Sequence, residues 1–376
     1  MNTCKLKPNP KHPGKVFLDV EDVKGDVSSY NVFDVRYNLT NKDYGINEYK
    51  KGHVPQATFV DLDVHLSKPA PPNSKARHVM PDPQVFIEWC KSVGIGPQKP
   101  VLCYDDECGA MGACRMWWML HALGVEAYVL TCGYRLFEAG YSSTDVTDST
   151  KHQPTSYWPY ETEFKRLLNI KETPPNAHMV DTRPAYRFNT TVRPYWPDDL
   201  PGHIEGAVNL PFSVNIVQIS RHEKRLRPND ECRSNILKLL AGMWDMKKAD
   251  ISHCVFYCGS GVTAAFSIAV ACHVGLGEPY LLSGSWSEYA DVFDFHLRRS
   301  IIKEYGMLLT MTSPTFADNV KASSTNATLM VDDEIVESPD EELAAAFVHL
   351  HVGEKAKVLF ESQREVTIEA YPRIDT

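Results

Sequence analysis

Short apolar runs alternate with segments of helical spacing through the first 300 residues. In the second half of that region, His178–Asp181, Val255–Tyr257 and Tyr280–Leu282 have the length and composition of buried strands. Ile236–Met246 and Val262–Val274 have the spacing of helices. Short buried strands between helices are typical of parallel sheets covered on both faces, so the pattern predicts an α/β fold.

The same motifs occur twice in the same order, about 150 residues apart. The matched pairs are Phe33–Arg36 with Val180–Arg183, Gly52–Ala57 with Gly202–Ala207, and Tyr128–Leu130 with Tyr280–Leu282. Three pairs of matching segments in the same order predict that the chain contains two copies of one domain. We expect the copies to occupy residues 1–150 and 151–300, joined within the Ser/Thr/Pro-rich stretch Ser142–Pro159.

The segment 301–376 has a different pattern and is predicted to be a small α+β module. Its predicted strands are Met307–Met311, Thr328–Val331, Phe347–Val352, Ala356–Phe360 and Val366–Tyr371. A helix is expected to begin at Ser338, because a capping serine is followed by proline and then acidic residues. The segment carries six basic and fourteen acidic residues. We interpret its acidic run as a solvated face, with a docking surface as the alternative.

Composition restricts the classes of function. The 376 residues are 43% hydrophobic and 23% charged, which excludes a mostly disordered chain and a small disulfide scaffold. The net charge of −9 gives no reason to expect a nucleic-acid partner, because phosphate binding requires a clustered basic face. The uncharged stretch Ile251–Gly277 is long enough to cross a membrane. Its glycines, histidines and strand-then-helix pattern predict a buried strand, loop and helix instead, so no membrane partner is expected.

The ten cysteines include no C-x-x-C pair, so free thiols in a reducing compartment are expected and no metal site is predicted. The N-terminal residues lack the apolar region of a secretory signal, which favours a cytoplasmic protein. Mitochondrial import is the alternative, since the first 18 residues carry four lysines and no acidic residue.

The loop from Cys258 to Ala264 joins a predicted buried strand to a predicted helix. A thiol in this position faces free backbone N–H groups and the positive end of the helix dipole, which stabilises an anion by ~0.3–2 kcal/mol. Gly259 and Gly261 allow the backbone to curl until its N–H groups point inward. The loop therefore predicts a nucleophilic Cys258, and the alternative is a buried structural thiol.

The loop sequence Cys-Gly-Ser-Gly-Val-Thr-Ala resembles the active loop of the mercaptopyruvate sulfurtransferases, in the rhodanese superfamily. Further segments similar to that family are Gly202–Ile204, Asn209–Phe212, Trp117–Leu120 and Gly284–Trp286. The resemblance covers about residues 30 to 292 and implies two tandem rhodanese-like domains, of which the second is catalytic. The repeat agrees, because it aligns Cys258 with Asp105 and so leaves the first copy without the nucleophile.

The resemblance implies sulfur transfer without a cofactor. Cys258 would take the sulfur of 3-mercaptopyruvate as a persulfide, pyruvate would leave, and an acceptor would take the outer sulfur. The acceptor would be a small thiol, a reduced thioredoxin-type protein or cyanide. A proton relay is implied from Ser260, His78 and Asp63. Asp61 is the alternative carboxylate, because the interval from Asp63 to His78 is longer than usual in the family.

Binding of a small anionic substrate is expected to involve arginine, which can grip a carboxylate with two hydrogen bonds. Arg187 matches the substrate-binding arginine of the family. The second family arginine falls at Trp196, so Arg193 or Arg77 is the candidate. The remaining predicted binding residues belong to the loop: Gly259, Gly261, Val262 and Thr263.

Other functions are weighed from the same loop. Thiosulfate sulfurtransferases resemble this fold but carry basic residues after the cysteine, whereas Gly259 and Ser260 are neutral. A cysteine-dependent phosphatase requires arginine at the position of Ala264. A serine hydrolase built on Ser260 is disfavoured by the adjacent thiol, and a non-catalytic binding module would not need Cys258.

Overall fold

The computed structural model describes the chain in several segments. They are residues 10–72, 74, 76–131, 140, 143–144, 153–174, 176–189, 202–220, 223–241, 250–290, 327–331, 334–336, 355–360 and 365–369. The chain divides into two compact units. The first comprises Met1–Pro69, His78–Arg183 and Val208–Ser285, and the second comprises Ala70–Arg77, Pro184–Ala207 and Trp286–Thr376.

The first unit contains two parallel sheets. One sheet consists of β1 (Phe17–Leu18), β2 (Asn31–Asp34), β3 (Thr58–Phe59), β4 (Val101–Tyr104) and β5 (Ala127–Leu130). The other consists of β6 (Leu167–Leu168), β7 (Met179–Asp181), β8 (Val208–Asn209), β11 (Val255–Tyr257) and β12 (Tyr280–Leu282). A hairpin of β9 (Ile216–Ser220) and β10 (Glu223–Leu226) lies between β8 and β11 in the chain.

The strand orders confirm the predicted repeat. The first sheet has the order β1-β5-β4-β2-β3 and the second β6-β12-β11-β7-β8, which is the same order when the strands are numbered within each copy. All the pairs within the two sheets are parallel. The central strands β4 and β11 are buried along their whole length, as expected for strands covered on both faces.

Helices follow the strands in the chain. They are α1 (Val20–Val23), α2 (Tyr44–Lys51), α3 (Leu62–His65), α4 (Pro83–Ser92), α5 (Ala113–Ala122), α6 (Ala185–Asn189), α7 (Asn229–Ala241) and α8 (Val262–His273). Helices α5 and α8 pack against each other, and both are apolar on nearly all sides. One continuous hydrophobic core therefore joins the two sheets of the first unit.

The predicted elements of the second copy are confirmed with small changes of boundary. Strand β11 and strand β12 occupy the predicted residues, and α8 ends one residue earlier than predicted. Helix α7 begins at Asn229, ahead of the predicted start at Ile236, because Asp230 and Glu231 fill its first turn. Residues 242–249, where the prediction continued, lie outside the described residues. Among the described helices, none has the length and hydropathy needed to cross a bilayer.

The second unit contains α6 and a four-stranded antiparallel sheet. Its strands are β13 (Ala327–Val331), β14 (Glu334–Val336), β15 (Lys355–Phe360) and β16 (Glu365–Glu369), in the order β14-β13-β15-β16. Three of them overlap predicted strands, and β14 was not predicted. The predicted strands Met307–Met311 and Phe347–Val352 and the predicted helix start at Ser338 lie outside the described residues.

Each copy carries a buried ion pair at the end of its second strand. Arg36 pairs with Asp34 and Arg183 pairs with Asp181, each with an Nη2 to Oδ2 distance of 2.6 Å and almost no exposed side chain. The hydroxyl of Tyr104 also donates to Asp34. The duplicated pair in both copies agrees with a structural role rather than a catalytic one.

Replacing Arg36 with Met should lower the free energy of unfolding by about 3–5 kcal/mol, because Asp34 would remain buried without its cation. Lys51→Met, which breaks the exposed pair with Glu48, is the control and should cost about 1 kcal/mol or less. Denaturant unfolding monitored by circular dichroism measures both. Equal losses in the two variants would contradict the structural role of the buried pair.

Candidate functional site

The predicted nucleophile lies in the loop between β11 and α8. Gly261 precedes the first residue of α8 and has φ of +81°, a left-handed conformation that favours glycine. A Cβ atom at Gly261 would lie 2.9 Å from Nη1 of Arg115. Both the backbone conformation and the close neighbour therefore require glycine at this position.

Cys258 is buried, with 2% of its surface exposed, but polar groups surround its loop. The N–H of Gly261 donates to Sγ of Cys258 at 3.1 Å. The N–H of Cys258 donates to Oγ of Ser285 at 3.2 Å, and that hydroxyl donates to the carbonyl of Leu282. The sulfur thus faces an inward-pointing amide at the start of a helix, the arrangement that the loop sequence predicts.

Ser260, His78 and Asp63 form a connected chain beside this loop. Oγ of Ser260 lies 2.7 Å from Nδ1 of His78, and Nε2 of His78 lies 3.4 Å from Oδ1 of Asp63. Asp61 has a different task, because its carboxylate accepts the N–H groups of Asp63 and Val64 and caps α3. Of the two alternative carboxylates, Asp63 is therefore the one next to His78.

The ionisation of Asp63 favours one direction of hydrogen bonding among Ser260, His78 and Asp63. The hydrogen bond from His78 holds the pKa of Asp63 below its usual range, although partial burial opposes the shift. An ionised Asp63 favours a proton on Nε2 of His78, which leaves Nδ1 to accept from the hydroxyl of Ser260. The hydroxyl of Tyr37 also lies 3.1 Å from Nε2. These hydrogen-bonded side chains can therefore pass a proton between Ser260 and His78.

Three residues of the site were not predicted to act there. Tyr37 follows the duplicated Asp–x–Arg motif, Arg115 precedes the apolar run Trp117–Leu120, and Ser285 lies in the Gly284–Trp286 segment. Each of these three residues thus lies beside or within a segment that the sequence analysis had identified as a motif. The sequence alone did not show that α5 packs on α8, and this packing brings Arg115 to the loop.

Comparison with known proteins identifies the fold family. The profile of the rhodanese-like domain matches residues 19–139 and 162–291. The chain belongs to the rhodanese family. The two parallel sheets of the first unit are therefore the sheets of two rhodanese-like domains. A second family model, described as a domain of unknown function (DUF1930), matches residues 307–375.

Similar rhodanese-family proteins carry names that bear on function. A structure of 3-mercaptopyruvate sulfurtransferase from Leishmania major is 45% identical, covers 98% of this chain and 100% of its own, and has a TM-score of 0.73. A Pseudomonas aeruginosa protein named a probable 3-mercaptopyruvate sulfurtransferase is 31% identical over 69% of this chain and 88% of its own. A thiosulfate sulfurtransferase of Gallus gallus is 29% identical over 64% of this chain and 80% of its own.

The first rhodanese domain has a carboxylate where the second has the thiol. Asp105 is fully buried and accepts backbone N–H groups from Glu107, Gly109, Met111, Gly112 and Ala113. Burial, assisted by the neighbouring Asp106, raises the pKa of Asp105 to about 6. The loop of the first domain therefore directs its amides at a carboxylate in the position that Cys258 occupies in the second domain.

The predicted substrate-binding residues fall in different parts of the rhodanese chain. Gly259 and Gly261 belong to the cysteine loop, and Val262 and Thr263 form the first turn of α8. Arg187 lies on α6 and Arg77 donates its N–H to Ser287, both within the second unit. Arg193 lies outside the described residues. The roles of these three arginines stay predictions.

One group of metal-ligating side chains occurs among the described residues. Potential ligand atoms of His178, His253 and Cys254 lie within 4.8 Å of one another. They precede β7 and β11, whereas Cys258 follows β11, so the group lies at the opposite end of the sheet from the cysteine loop. It contributes nothing to the geometry around Cys258.

Replacing Asp63 with Asn should destabilise the protein at neutral pH and much less in acid. The lowered pKa of Asp63 means that its stabilising contribution is present above the unfolded-state pKa of about 3.9 and is lost as pH falls through the folded-state value. The difference from wild type should therefore shrink below about pH 4. Unfolding measured across pH tests this expectation.

Asp61→Asn is the matched control, because asparagine can still cap α3. This variant keeps the pair of Asp63 with His78, so it should retain the contribution of Asp63 that is lost in acid. If the acid-dependent difference from wild type appeared in Asp61→Asn and not in Asp63→Asn, the pairing of Asp63 with His78 would be wrong.

Proposed function

We propose that this protein is a 3-mercaptopyruvate sulfurtransferase with Cys258 as its nucleophile. The observation that carries the proposal is the chain Ser260–His78–Asp63 beside the cysteine loop, with a Ser260 to His78 distance of 2.7 Å. The names of the Leishmania major and Pseudomonas aeruginosa relatives support the substrate. We further propose that the domains occupy residues 1–150, 151–300 and 301–376. We also propose a reducing compartment such as the cytoplasm, because the cysteines of the described chain are free thiols.

In the first half-reaction, the thiolate of Cys258 attacks the sulfur of 3-mercaptopyruvate. The new S–S bond forms while the C–S bond breaks, and the bonding electrons stay with carbon as the enolate of pyruvate. The substrate sulfur loses its proton and becomes the outer atom of a Cys258 persulfide anion. The enolate gains one proton at carbon, so one proton moves from sulfur to carbon and pyruvate leaves.

The relay gives that proton a route. Ser260 contacts His78 and follows Cys258 by two residues in the loop. Its hydroxyl is therefore suited to hydrogen-bond the developing enolate, while His78 takes or returns the proton and Asp63 stabilises the imidazolium that results. Tyr37 would help to hold the ring of His78 in place.

Substrate binding and the second half-reaction complete the cycle. We propose that Arg187, with Arg193 or Arg77, binds the carboxylate and keto oxygen of the substrate, because guanidinium groups match both acceptors. The amides of Gly259, Gly261, Val262 and Thr263 would surround the sulfur. The outer sulfur then passes to a small thiol, a reduced thioredoxin-type protein or cyanide, and the Cys258 thiolate is restored.

Thiosulfate is the alternative donor, supported by the name of the Gallus gallus relative. Its leaving group is sulfite, which already carries its charge on oxygen and needs no proton at carbon. The neutral Gly259 and Ser260 offer no cation to such a dianion, whereas the relay suits an enolate. We therefore favour 3-mercaptopyruvate.

Incubation with 3-mercaptopyruvate and no acceptor should release one pyruvate per protein and add one sulfur atom to Cys258, because the persulfide cannot be discharged. Mass spectrometry of the peptide that contains Cys258 measures the gain. Cys258→Ser should abolish both signals. Cys254→Ser, which removes the thiol at the other end of β11, is the matched control and should keep them. Full turnover by Cys258→Ser would refute the proposed function.

Ser260→Ala should lower kcat with 3-mercaptopyruvate by about 100- to 10,000-fold, the usual range for loss of acid–base assistance. The loss with thiosulfate should be smaller, because no carbon is protonated. Ser267→Ala, which removes a hydroxyl that bonds only within α8, should leave both rates close to wild type. Equal losses on the two donors in Ser260→Ala would count against the relay.

A further inference from the structure

Arg115 is a fully buried arginine that reaches from the first rhodanese domain to the catalytic loop of the second. It lies on α5, with 1% of its surface exposed. Nη1 donates to the carbonyl of Gly261 at 3.3 Å, and Nη2 donates to the carbonyls of His78 and Leu66 at 3.0 and 3.2 Å. One guanidinium therefore contacts both the loop that holds Cys258 and the backbone of the relay histidine.

The backbone at both contacts is unusual. Gly261 has φ of +81°, and His78 has φ of +47°, which is uncommon for a residue with a side chain. A Cβ atom at position 261 would lie 2.9 Å from Nη1, so the guanidinium packs directly against this turn. The guanidinium thus contacts two backbone positions with positive φ, and the placement of Cys258 and His78 depends on both.

The charge of Arg115 has no carboxylate partner among the described residues. The other fully buried arginines, Arg36 and Arg183, each pair with an aspartate. Nε of Arg115 has no hydrogen-bond partner within the described part of the chain. Burial lowers the pKa of Arg115 to about 10, and the charge of Cys258 acts in the opposite direction. The guanidinium remains protonated at neutral pH. It donates to the carbonyl of Gly261, and the N–H of the same residue donates to Sγ of Cys258, so this sulfur is a neighbouring group that balances the charge when it is ionised.

We propose that Arg115 is a positioning residue for sulfur transfer: it holds the catalytic loop and His78 by their carbonyls and balances the negative charge of Cys258 with its own. The same cation would stabilise the persulfide anion, which has the same charge. The first domain, although it lacks a nucleophile, thereby supplies the counter-charge for the nucleophile of the second. The inference rests on the proposed function only in taking Cys258 as the nucleophile.

Alkylation of Cys258 by iodoacetamide tests the charge directly and needs no substrate. Arg115→Gln removes the charge and keeps an amide donor, whereas Arg115→Lys keeps the charge. The pH midpoint of alkylation, followed by mass spectrometry of the Cys258 peptide, should rise in Arg115→Gln. Alkylation at neutral pH should slow by about tenfold or more, since one pH unit in the midpoint changes the thiolate fraction about tenfold. Arg115→Lys should recover most of the wild-type profile.

A wild-type profile in folded Arg115→Gln would overturn the proposal, as would Arg115→Lys behaving like Arg115→Gln. His78, Asp63 and Tyr37 are the other titratable groups that meet the loop through Ser260. The profiles are therefore repeated with His78→Gln in the background, where the effect of Arg115→Gln should persist.

A second measurement does not depend on the folding of an Arg115 variant. If Cys258 balances Arg115, Cys258→Ser leaves a buried cation without its anion. The stability advantage of wild type over Cys258→Ser should then grow as pH rises through the alkylation midpoint, and a constant advantage would overturn the proposal. Failure of pyruvate release with a normal alkylation result would instead reject the proposed substrate and leave the role of Arg115 standing.

Discussion

The structure of the first unit depends on backbone amides that donate to a side-chain group at the point where a buried strand gives way to a helix. In the second rhodanese domain the group is the thiol of Cys258, with the amide of Gly261 directed at it. In the first domain it is the carboxylate of Asp105, which accepts five backbone N–H groups. The backbone of the loop and the start of the following helix are organised around that group in both copies.

Because the domain is duplicated, the two copies can contribute different side chains to one site. In the first loop, Asp105 occupies the position that the thiol of Cys258 has in the second. Other side chains of the first copy are directed at the second loop: His78 contacts Ser260, Asp63 contacts His78, and Arg115 contacts the carbonyl of Gly261. The apolar surfaces of α5 and α8 bring these parts together, because their burial against each other leaves one continuous core.

The sequence alone was sufficient where local pattern and packing agree. The β11–loop–α8 segment was predicted because a short apolar run, a glycine-rich turn and an uncharged helix follow one another. Asp63 was predicted as the partner of His78 from the resemblance, but Asp61 stayed as the alternative because both lie at the start of α3. Only the folded backbone shows that Asp61 caps the helix. Arg115 was missed because an arginine beside an apolar run looks like the polar edge of a helix, and its burial is a property of two helices together. Strand β14 was missed because three residues are too short to show an alternating pattern.

Asp105 shows how far backbone amides can stabilise a buried anion by themselves. Five N–H groups point at its carboxylate, yet burial and Asp106 still raise its pKa to about 6, well above that of a solvated aspartate. Amides and a helix dipole therefore offset only part of the cost of removing an anion from water. In the proposed cycle, the second loop holds a sulfur anion at similar burial both before and after the persulfide forms. We infer that a buried cation supplies what the amides lack, and among the described residues Arg115 is the fully buried arginine that contacts the loop.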